Sequence, residues 1–96
     1  KQKIDMKKVI VYSQEGCSYC SELKNLLEQN GVPFTVTDID EKKSDWEVIS
    51  ESSGVEYVPQ VLMVDTNDES GRILAPDRDF DEVSECLQHI MTDLQE

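Results

Sequence analysis

The chain has 96 residues, of which 38% are hydrophobic, and it carries 9 Lys and Arg against 21 Asp and Glu. A chain of this length forms one domain over residues 1–96, and its apolar runs are too short to span a membrane. A net charge of −12 leaves no basic stripe that could neutralise phosphates, so binding to nucleic acid is not expected.

The first half of the chain predicts a strand–helix–strand unit. Residues 7–13 contain a run of β-branched side chains that is typical of a strand buried on both faces. A helix is expected over residues 18–30, with Gly31 as its left-handed stop. Residues 33–39 alternate apolar and polar side chains and predict a second strand. A unit this short implies that the two strands are parallel and joined by a right-handed crossover.

The middle of the chain predicts a short helix followed by two strands. Ser44 begins a Ser-x-x-Glu sequence of the capping-box type, so a helix is expected from there to about Ser52, with Gly54 as its stop. Trp46 on this helix is expected to face the sheet. Residues 61–64 and 72–74 predict two antiparallel strands joined by a turn-rich segment.

A last helix completes the chain. Asp79 and the acidic residues after it are typical of a helix cap, so this helix is expected to run from there to about Leu94. Its predicted buried stripe consists of Val83, Leu87, Ile90 and Leu94. The element order β-α-β-α-β-β-α predicts an α/β fold with a four-stranded mixed sheet and helices on both faces.

The main chemical feature is the pair Cys17 and Cys20, placed where the first helix begins after the first strand. Unpaired amide N–H groups and the helix dipole favour an anion there. Thiols at helix N-termini have pKa values lowered from about 8.5 to roughly 3.5–7.5. Cys20 lies one turn further along, within disulfide reach. The pattern indicates thiol–disulfide exchange with Cys17 as nucleophile and Cys20 as resolving thiol; the alternative is two inert core cysteines.

These features together resemble the glutaredoxin family from about residue 8 to residue 94. The resemblance depends on Cys17-Ser18-Tyr19-Cys20 after a strand, on Val58-Pro59-Gln60 before another, and on an acidic helix start after a hairpin. It implies a thioredoxin-like fold and glutathione as reductant and co-substrate. Implied substrates are disulfide-containing or glutathionylated proteins, ribonucleotide reductase among them. We also expect a monomer with no metal and no membrane association.

The resemblance assigns further roles around the cysteines. Tyr19 would border the glutathione groove, with simple packing as the alternative. Ser18 stands where the family most often has Pro, which adds an amide N–H and a hydroxyl near the sulfur. Pro59 matches the cis-proline of thioredoxin-like folds, and the Val58 backbone would pair with the substrate backbone as an added strand.

Two departures from the family concern glutathione. Gln14 stands where many members have a Lys that holds a glutathione carboxylate, and Arg78-Asp79 replaces a Gly-Gly pair before the last helix. Phe80 and Asp81 would offer amides to the γ-glutamyl carboxylate, and Asp81 would pair with the γ-glutamyl ammonium. Arg78 either replaces the missing positive charge or offsets neighbouring acids. We expect glutathione binding to be weaker than in a typical member.

Several interpretations stay open. Cys86 and His89 have Cys-x-x-His spacing, so a zinc site shared with the cysteine pair is formally possible, but a buried structural thiol and an exposed histidine are favoured. A [2Fe–2S] cluster bridging two chains through Cys17 and glutathione is one alternative function. Another is a partner-specific electron donor with thioredoxin-like chemistry.

The charge distribution and the first residues also leave alternatives. Residues 44–96 carry two Arg and fourteen acidic residues, whereas residues 1–43 are balanced. This excess indicates either a solvated acidic surface or a face that steers a basic protein partner. Three cysteines do not suggest a secreted disulfide framework and so indicate a reducing cytoplasm. Residues 1–6 are expected to be a tag remnant or a mobile arm.

Overall fold

The computed structural model describes residues 7–67 and 70–95. The tag remnant or arm expected at residues 1–6 therefore lies outside the described residues. The elements are β1 (Lys7–Ser13), α1 (Ser18–Gln29), β2 (Thr35–Asp38), α2 (Lys43–Ser53), β3 (Gln60–Asp65), β4 (Ser70–Leu74) and α3 (Val83–Leu94). Their order is the predicted one. Within the described ranges, no helix is long and apolar enough to cross a bilayer.

The four strands form one mixed sheet in the order β2-β1-β3-β4. Strand β1 pairs in parallel with β2, as predicted from the short crossover, and antiparallel with β3. Strand β4 closes the sheet antiparallel to β3, which confirms the predicted hairpin. This topology, with helices on both faces, is the thioredoxin-like fold.

Alternate side chains of β1 enter two different cores, because successive side chains of a strand point to opposite faces. Val9 and Val11 pack with residues of α1 and α3 on one face. Ile10 and Tyr12 pack on the other face, in a smaller cluster that includes Trp46 and Ile49 of α2. The sheet is thus covered on both sides, and the predicted inward orientation of Trp46 is confirmed.

Helix α2 starts one residue earlier than predicted and without the expected capping box. Its N-cap is Lys42, which makes no side-chain capping hydrogen bond, and Ser44 lies inside the helix. The amide of Lys42 donates to the carbonyl of Asp38 at 2.9 Å. The turn after β2 therefore leads directly into the helix, which begins before Ser44. Gly54 ends the helix in the left-handed conformation, as predicted.

Helix α3 starts later than predicted, with Glu82 rather than Asp79 at the N-cap. Asp79 instead stabilises the loop before the helix, because its carboxylate accepts a hydrogen bond from the amide of Ala75 at 2.8 Å. At the other end, Leu94 is exposed rather than buried, and Cys86 completes the buried side of the helix. The predicted stripe was therefore wrong at its last position.

Strand β2 is shorter than the predicted range of 33–39. It begins at Thr35, two residues late, because Pro33 has no N–H to contribute to a ladder. The amide of Ile39 still donates to the carbonyl of Ser13 at 2.9 Å, just beyond the strand. Strand β4 in contrast begins earlier than predicted, at Ser70.

Candidate functional site

The predicted site residues come from three stretches that the sheet brings to one edge. Strand β1 ends at this edge, its antiparallel neighbour β3 begins there, and β4 ends there. The register places Tyr12 opposite Gln60 and Val61 opposite Leu74. The segments that follow β1, precede β3 and follow β4 therefore surround the same end of the sheet.

Cys17 is held at the start of α1 by the turn that precedes it. Gly16 has a φ of +86°, a conformation that side-chain-bearing residues rarely adopt. This allows the amide of Cys17 to donate to the carbonyl of Gln14 at 3.2 Å, which closes the turn. Cys17 is consequently the N-cap residue of α1.

The two sulfurs of the motif occupy different environments. Cys17 is partly exposed and its Sγ accepts the amide of Cys20 at 3.1 Å. Cys20 is only 1% exposed. A disulfide joins the two residues, whose Cα atoms are 5.2 Å apart. A substrate can thus reach Cys17 more readily than Cys20, and the helix amide lies against the more accessible sulfur.

Two exposed tyrosines belong to the segments at this edge. Tyr19, which follows Cys17 on the first turn of α1, is 64% exposed, and so is Tyr57, which precedes Val58. The Val58–Pro59 bond is cis, as the resemblance implied. Ser18 is also exposed. Sequence reasoning missed Tyr57, although its position next to the Val-Pro pair was a usable signal.

Gln60 anchors the loop between α2 and β3 from inside the protein. Its side chain is fully buried, and its Nε2 donates to the carbonyls of Val55 at 2.7 Å and Tyr57 at 3.0 Å. Its Oε1 has no hydrogen-bond partner among the described residues. Sequence reasoning missed this role. A glutamine at the start of an apolar strand, directly after Pro59, was the available signal.

Gln14, a predicted glutathione-binding residue, is paired within the protein. Its Nε2 donates to the carboxylate of Asp40 at 3.3 and 3.4 Å. Gln14 and Asp40 are both exposed, and they follow the ends of the parallel strands β1 and β2. An incoming ligand carboxylate would therefore compete with Asp40 for this donor.

Arg78 connects the loop after β4 to its neighbours. Its guanidinium donates to the carbonyls of Ser53 at 3.2 Å and Ile73 at 2.6 Å, and it forms a 2.7 Å ion pair with Asp79. These contacts favour the reading in which Arg78 offsets neighbouring acids. Its charge is already shared among three oxygen partners.

Asp79 accepts hydrogen bonds that favour its ionised form. Burial of the carboxyl opposes ionisation, but the hydrogen bonds from Arg78 and from the Ala75 amide outweigh it, so the pKa of Asp79 lies below its ordinary value of 3.8. The ionised carboxylate therefore stabilises the loop between β4 and α3.

Replacing Asp79 should weaken the fold in a pH-dependent way. Because its pKa is lowered on folding, its contribution is complete above the ordinary pKa and is lost as pH falls through the lower folded value. We expect Asp79→Asn to lower the free energy of unfolding by about 1–2 kcal/mol at pH 7, and by less at pH 3. Urea unfolding at both pH values measures this. Glu51→Gln, at an exposed position of α2, is the control. An equal loss at both pH values would contradict the assignment.

A carboxylate of the protein itself accepts hydrogen bonds from the amides at the start of α3. One oxygen of Glu85 accepts the amides of Asp81 at 2.8 Å and Glu82 at 3.2 Å. The Glu82 side chain in turn accepts the amide of Glu85, which completes a capping box. The two amides lower the pKa of the Glu85 carboxyl. Sequence reasoning placed the cap three residues too early and so missed Glu85.

Phe80 and Asp81, the other two residues predicted to bind glutathione near this helix start, differ from each other in their surroundings. Phe80 lies before the helix, and its side chain is buried in the core shared by α1 and α3. Its carbonyl accepts the amide of Asp77 at 2.8 Å. Asp81 is exposed, but its amide is the one that donates to Glu85.

Cys86 is a buried thiol, as predicted. Burial, together with the nearby charge of Asp79, raises the pKa of Cys86 to about 12. His89 is half-buried rather than exposed, because its Nε2 lies 3.0 Å from the carbonyl of Asp79. Across residues 7–67 and 70–95, no three His, Cys, Asp or Glu side chains converge as metal ligands would.

A family model described as Glutaredoxin matches residues 9–67. The chain is 40% identical over 57 residues to N-acetyl-S-hydroxy-L-cysteine reductase of Bacillus subtilis; the match covers 59% of this chain and 61% of that protein. It is 36% identical over 58 residues to glutaredoxin 3 of Escherichia coli K12, covering 60% and 70% respectively. A solved thioredoxin-like protein matches 88% of this chain and 99% of its own with a TM-score of 0.64 and 21% identity, which shows the fold alone.

Proposed function

The chain belongs to the glutaredoxin family, and on that premise we propose that it is a thiol–disulfide oxidoreductase acting through Cys17 and Cys20. The observation that carries the proposal is the position of Cys17. Its Sγ is accessible at the helix N-cap and accepts the Cys20 amide, whereas Cys20 is 1% exposed. This geometry suits one sulfur for attack and the other for resolution.

The reaction consists of two exchanges at sulfur. The Cys17 thiolate attacks a substrate disulfide, forms a new S–S bond, and releases one substrate sulfur as thiolate. The Cys20 thiolate then attacks Cys17 Sγ and releases the second substrate sulfur. Two electrons pass to the substrate, and the cysteine pair ends as a disulfide.

Stabilising the Cys17 thiolate assists its release from a mixed disulfide more than its attack on a substrate disulfide. A thiol with a pKa of about 8.5 is only about 3% ionised at pH 7, so full ionisation increases the reactive form at most roughly thirtyfold. Nucleophilicity falls by a factor of roughly 2.5–3 for each unit by which the pKa falls, which offsets much of this gain. A stabilised thiolate is, however, a better leaving group when a thiol such as glutathione attacks the substrate sulfur of the mixed disulfide and releases Cys17.

Glutathione, which the resemblance implies, is the proposed reductant of the resulting disulfide. Three observations support the further proposal that it binds weakly. Gln14 is paired with Asp40, Arg78 is paired with Asp79, and the Asp81 amide donates to Glu85. A reducing cytoplasm suits this chemistry, and the proposed substrates are disulfide-containing or glutathionylated proteins. The protein is proposed to act as a monomer, with a [2Fe–2S] cluster bridging two chains through Cys17 and glutathione as the alternative.

A second candidate function comes from the Bacillus relative, which is named as a reductase of N-acetyl-S-hydroxy-L-cysteine. The match covers 61% of that protein, and the family model that matches this chain spans both cysteines. The same residues could reduce an S-hydroxycysteine. The Cys17 thiolate would attack its sulfur and displace hydroxide, after which Cys20 would release the thiol.

The choice of reductant tests the main proposal. We expect the protein to reduce a small disulfide such as bis(2-hydroxyethyl) disulfide when glutathione and glutathione reductase are supplied, with NADPH consumption as the measurement. Turnover with thioredoxin reductase alone would instead favour the partner-specific, thioredoxin-like alternative. If a protein whose Cys17 and Cys20 are demonstrably reduced gives no turnover with either system, the oxidoreductase proposal is wrong.

A further inference from the structure

We infer that Arg78 is a positioning residue: it holds the end of α2 against β4 and thereby fixes the backbone of Glu56–Val58 where an extended polypeptide disulfide binds. This inference rests on the proposed function, because it concerns substrates of the same cysteine pair. It implies that Arg78 matters for peptide disulfides and not for small disulfides that have no peptide backbone.

The segment Glu56–Val58 carries unpaired backbone groups at the edge of the sheet where Cys17 lies. The Tyr57 carbonyl accepts Gln60 Nε2 at 3.0 Å, whereas the Val58 amide and carbonyl make no hydrogen bond to any described residue. The sheet register places the segment at the end of β1, the same end as the turn that precedes Cys17. Free N–H and C=O groups on this edge suit an extended polypeptide, which adds hydrogen bonds as a further strand does.

The position of this segment depends on the end of α2. Ser53, the last residue of the helix, is 8% exposed, and its Oγ accepts the amide of Val55 at 3.1 Å. The carbonyl of Val55 accepts Gln60 Nε2 at 2.7 Å. Val55 is therefore fixed to α2 through its amide and to β3 through its carbonyl. A shift of Ser53 would move the backbone that leads to Val58.

Arg78 in turn fixes Ser53. Its guanidinium donates to the Ser53 carbonyl at 3.2 Å and to the Ile73 carbonyl at 2.6 Å. Ile73 lies on β4 and pairs with Leu62 of β3, so the guanidinium joins the end of α2 to the sheet. The 2.7 Å ion pair with Asp79 holds the guanidinium in place. A planar group with several fixed N–H donors serves all three acceptors at once, and a lysine ammonium lacks that geometry.

The apolar packing of α2 is less extensive than that of α1. Within the described residues, α2 buries Ile49 and Ser53, and its contact with the sheet belongs to the smaller of the two cores. Helix α1 instead packs Leu23 and Leu27 into the larger core. Removal of Arg78 should therefore shift the end of α2 while Cys17, at the start of α1, keeps its position.

Single-turnover reduction of two mixed disulfides by the reduced protein tests the inference. One joins thionitrobenzoate to a capped peptide with a central cysteine and otherwise neutral residues, and the other joins thionitrobenzoate to 2-mercaptoethanol. Each probe carries one carboxylate, so their charges are matched. The Cys17 thiolate attacks the peptide or mercaptoethanol sulfur and releases thionitrobenzoate, whose colour is the measurement.

We expect Arg78→Ala to lower the second-order rate constant for the peptide probe about tenfold relative to that for the small probe. A tenfold change corresponds to about 1.4 kcal/mol, which is the size of one backbone hydrogen bond. A peptide that is N-methylated on both sides of the cysteine lacks the N–H groups that pair with a backbone. The parent protein should react with it roughly fivefold more slowly than with the unmethylated peptide, and Arg78→Ala should react equally with both.

Arg72→Ala is the matched control variant. It removes the same charge and a 2.7 Å ion pair with Asp93, but this pair joins β4 to the far end of α3. We expect it to leave the ratio of the two rate constants within about twofold of the parent value. Arg78→Lys keeps a charge beside Asp79 without the fork that reaches both carbonyls, so it should lower the ratio nearly as far as Arg78→Ala.

A second variant keeps the inference testable should Arg78→Ala not fold. Ser53→Ala removes the hydroxyl that accepts the Val55 amide and leaves the Ser53 carbonyl contact with Arg78 in place. It must lower the same ratio at least about threefold. An unchanged ratio in Ser53→Ala would contradict the proposed link from α2 to the substrate.

The outcomes separate the two proposals. If the parent protein, with Cys17 and Cys20 shown to be reduced, reacts with neither probe, the proposed function itself is wrong. If it reacts with both and Arg78→Ala leaves the ratio unchanged, only the role of Arg78 is wrong. Restoration of the ratio by Arg78→Lys, or an equal fall in Arg72→Ala, would also overturn that role, because charge would then be the cause. So would a parent protein that does not distinguish the N-methylated peptide.

Discussion

Cys17→Ser is expected to lose disulfide reductase activity by at least about a thousandfold, because a serine hydroxyl is not ionised at neutral pH and cannot replace the attacking thiolate. Cys20→Ser should behave differently. It retains the Cys17 sulfur at the N-cap of α1, so it should still attack glutathionylated substrates, with free glutathione completing the reaction. Steady-state turnover with a glutathionylated peptide and with a protein disulfide measures both effects.

Cys86→Ala provides the control for thiol content. Cys86 is fully buried, and its pKa is raised to about 12, so it contributes no thiolate at neutral pH. We expect this variant to keep the activity of the parent protein with both substrates. Full activity in Cys17→Ser would contradict the assignment of Cys17. Equal losses in Cys17→Ser and Cys20→Ser with the glutathionylated peptide would contradict the division of roles.

Gln60→Glu is expected to cost about 3–5 kcal/mol of stability at pH 7, the largest loss we predict for a change at a single side-chain group. The amide Nε2 donates to the carbonyls of Val55 and Tyr57, and the substitution replaces this donor with an acceptor. Two carbonyl oxygens would then face a buried carboxylate with no donor between them. The loop that leads into Val58 and Pro59 would lose its internal anchor.

The pH dependence makes this prediction specific. Burial raises the pKa of a carboxyl, so the introduced glutamate has a higher pKa in the folded state than the ordinary value of about 4.3. The loss relative to the parent protein should therefore be small below that value, where the protonated acid can donate to one carbonyl, and should grow as pH rises.

Urea unfolding of Gln60→Glu and the parent protein at pH 4 and pH 7 tests this dependence. Gln88→Glu, at an exposed position of α3, adds the same charge without the buried contacts and should change stability by less than about 0.5 kcal/mol. If Gln60→Glu does not fold at pH 7, recovery of the folded state at pH 4 is the expected result. A pH-independent loss would show that the anchoring hydrogen bonds are not its cause.

Local patterns were sufficient for the order and type of all seven elements. A β-branched run specified β1, and Gly31 and Gly54 both adopt the left-handed conformation expected at helix ends. The position of Cys17 at the start of α1 also followed from sequence, because a glycine turn between a strand and an amphipathic run leaves few places for a helix to begin. These features depend on neighbours within a few residues.

The helix starts were harder to predict, because several residues in a row are competent caps. Ser44 has a side chain suited to capping, but the hydrogen-bonded turn after Asp38 starts the helix before Ser44. Asp79 is also competent, yet its carboxylate accepts the amide of Ala75. Which side chain caps the helix depends on where the preceding strand positions the chain. This position is not encoded in the local sequence pattern.

The sequence by itself determined the candidate chemistry of this protein: a cysteine pair at a helix N-terminus and a Val-Pro segment before a later strand, which the folded sheet brings to one edge. Only the tertiary structure decided which polar groups at that edge are engaged. Glu85, Gln60 and Arg78 direct their side chains to backbone groups of this chain. The physical reason is that a hydrogen bond needs two atoms within about 3 Å, and even these partners, four or five residues apart, reach that distance only in the backbone conformation that the fold imposes.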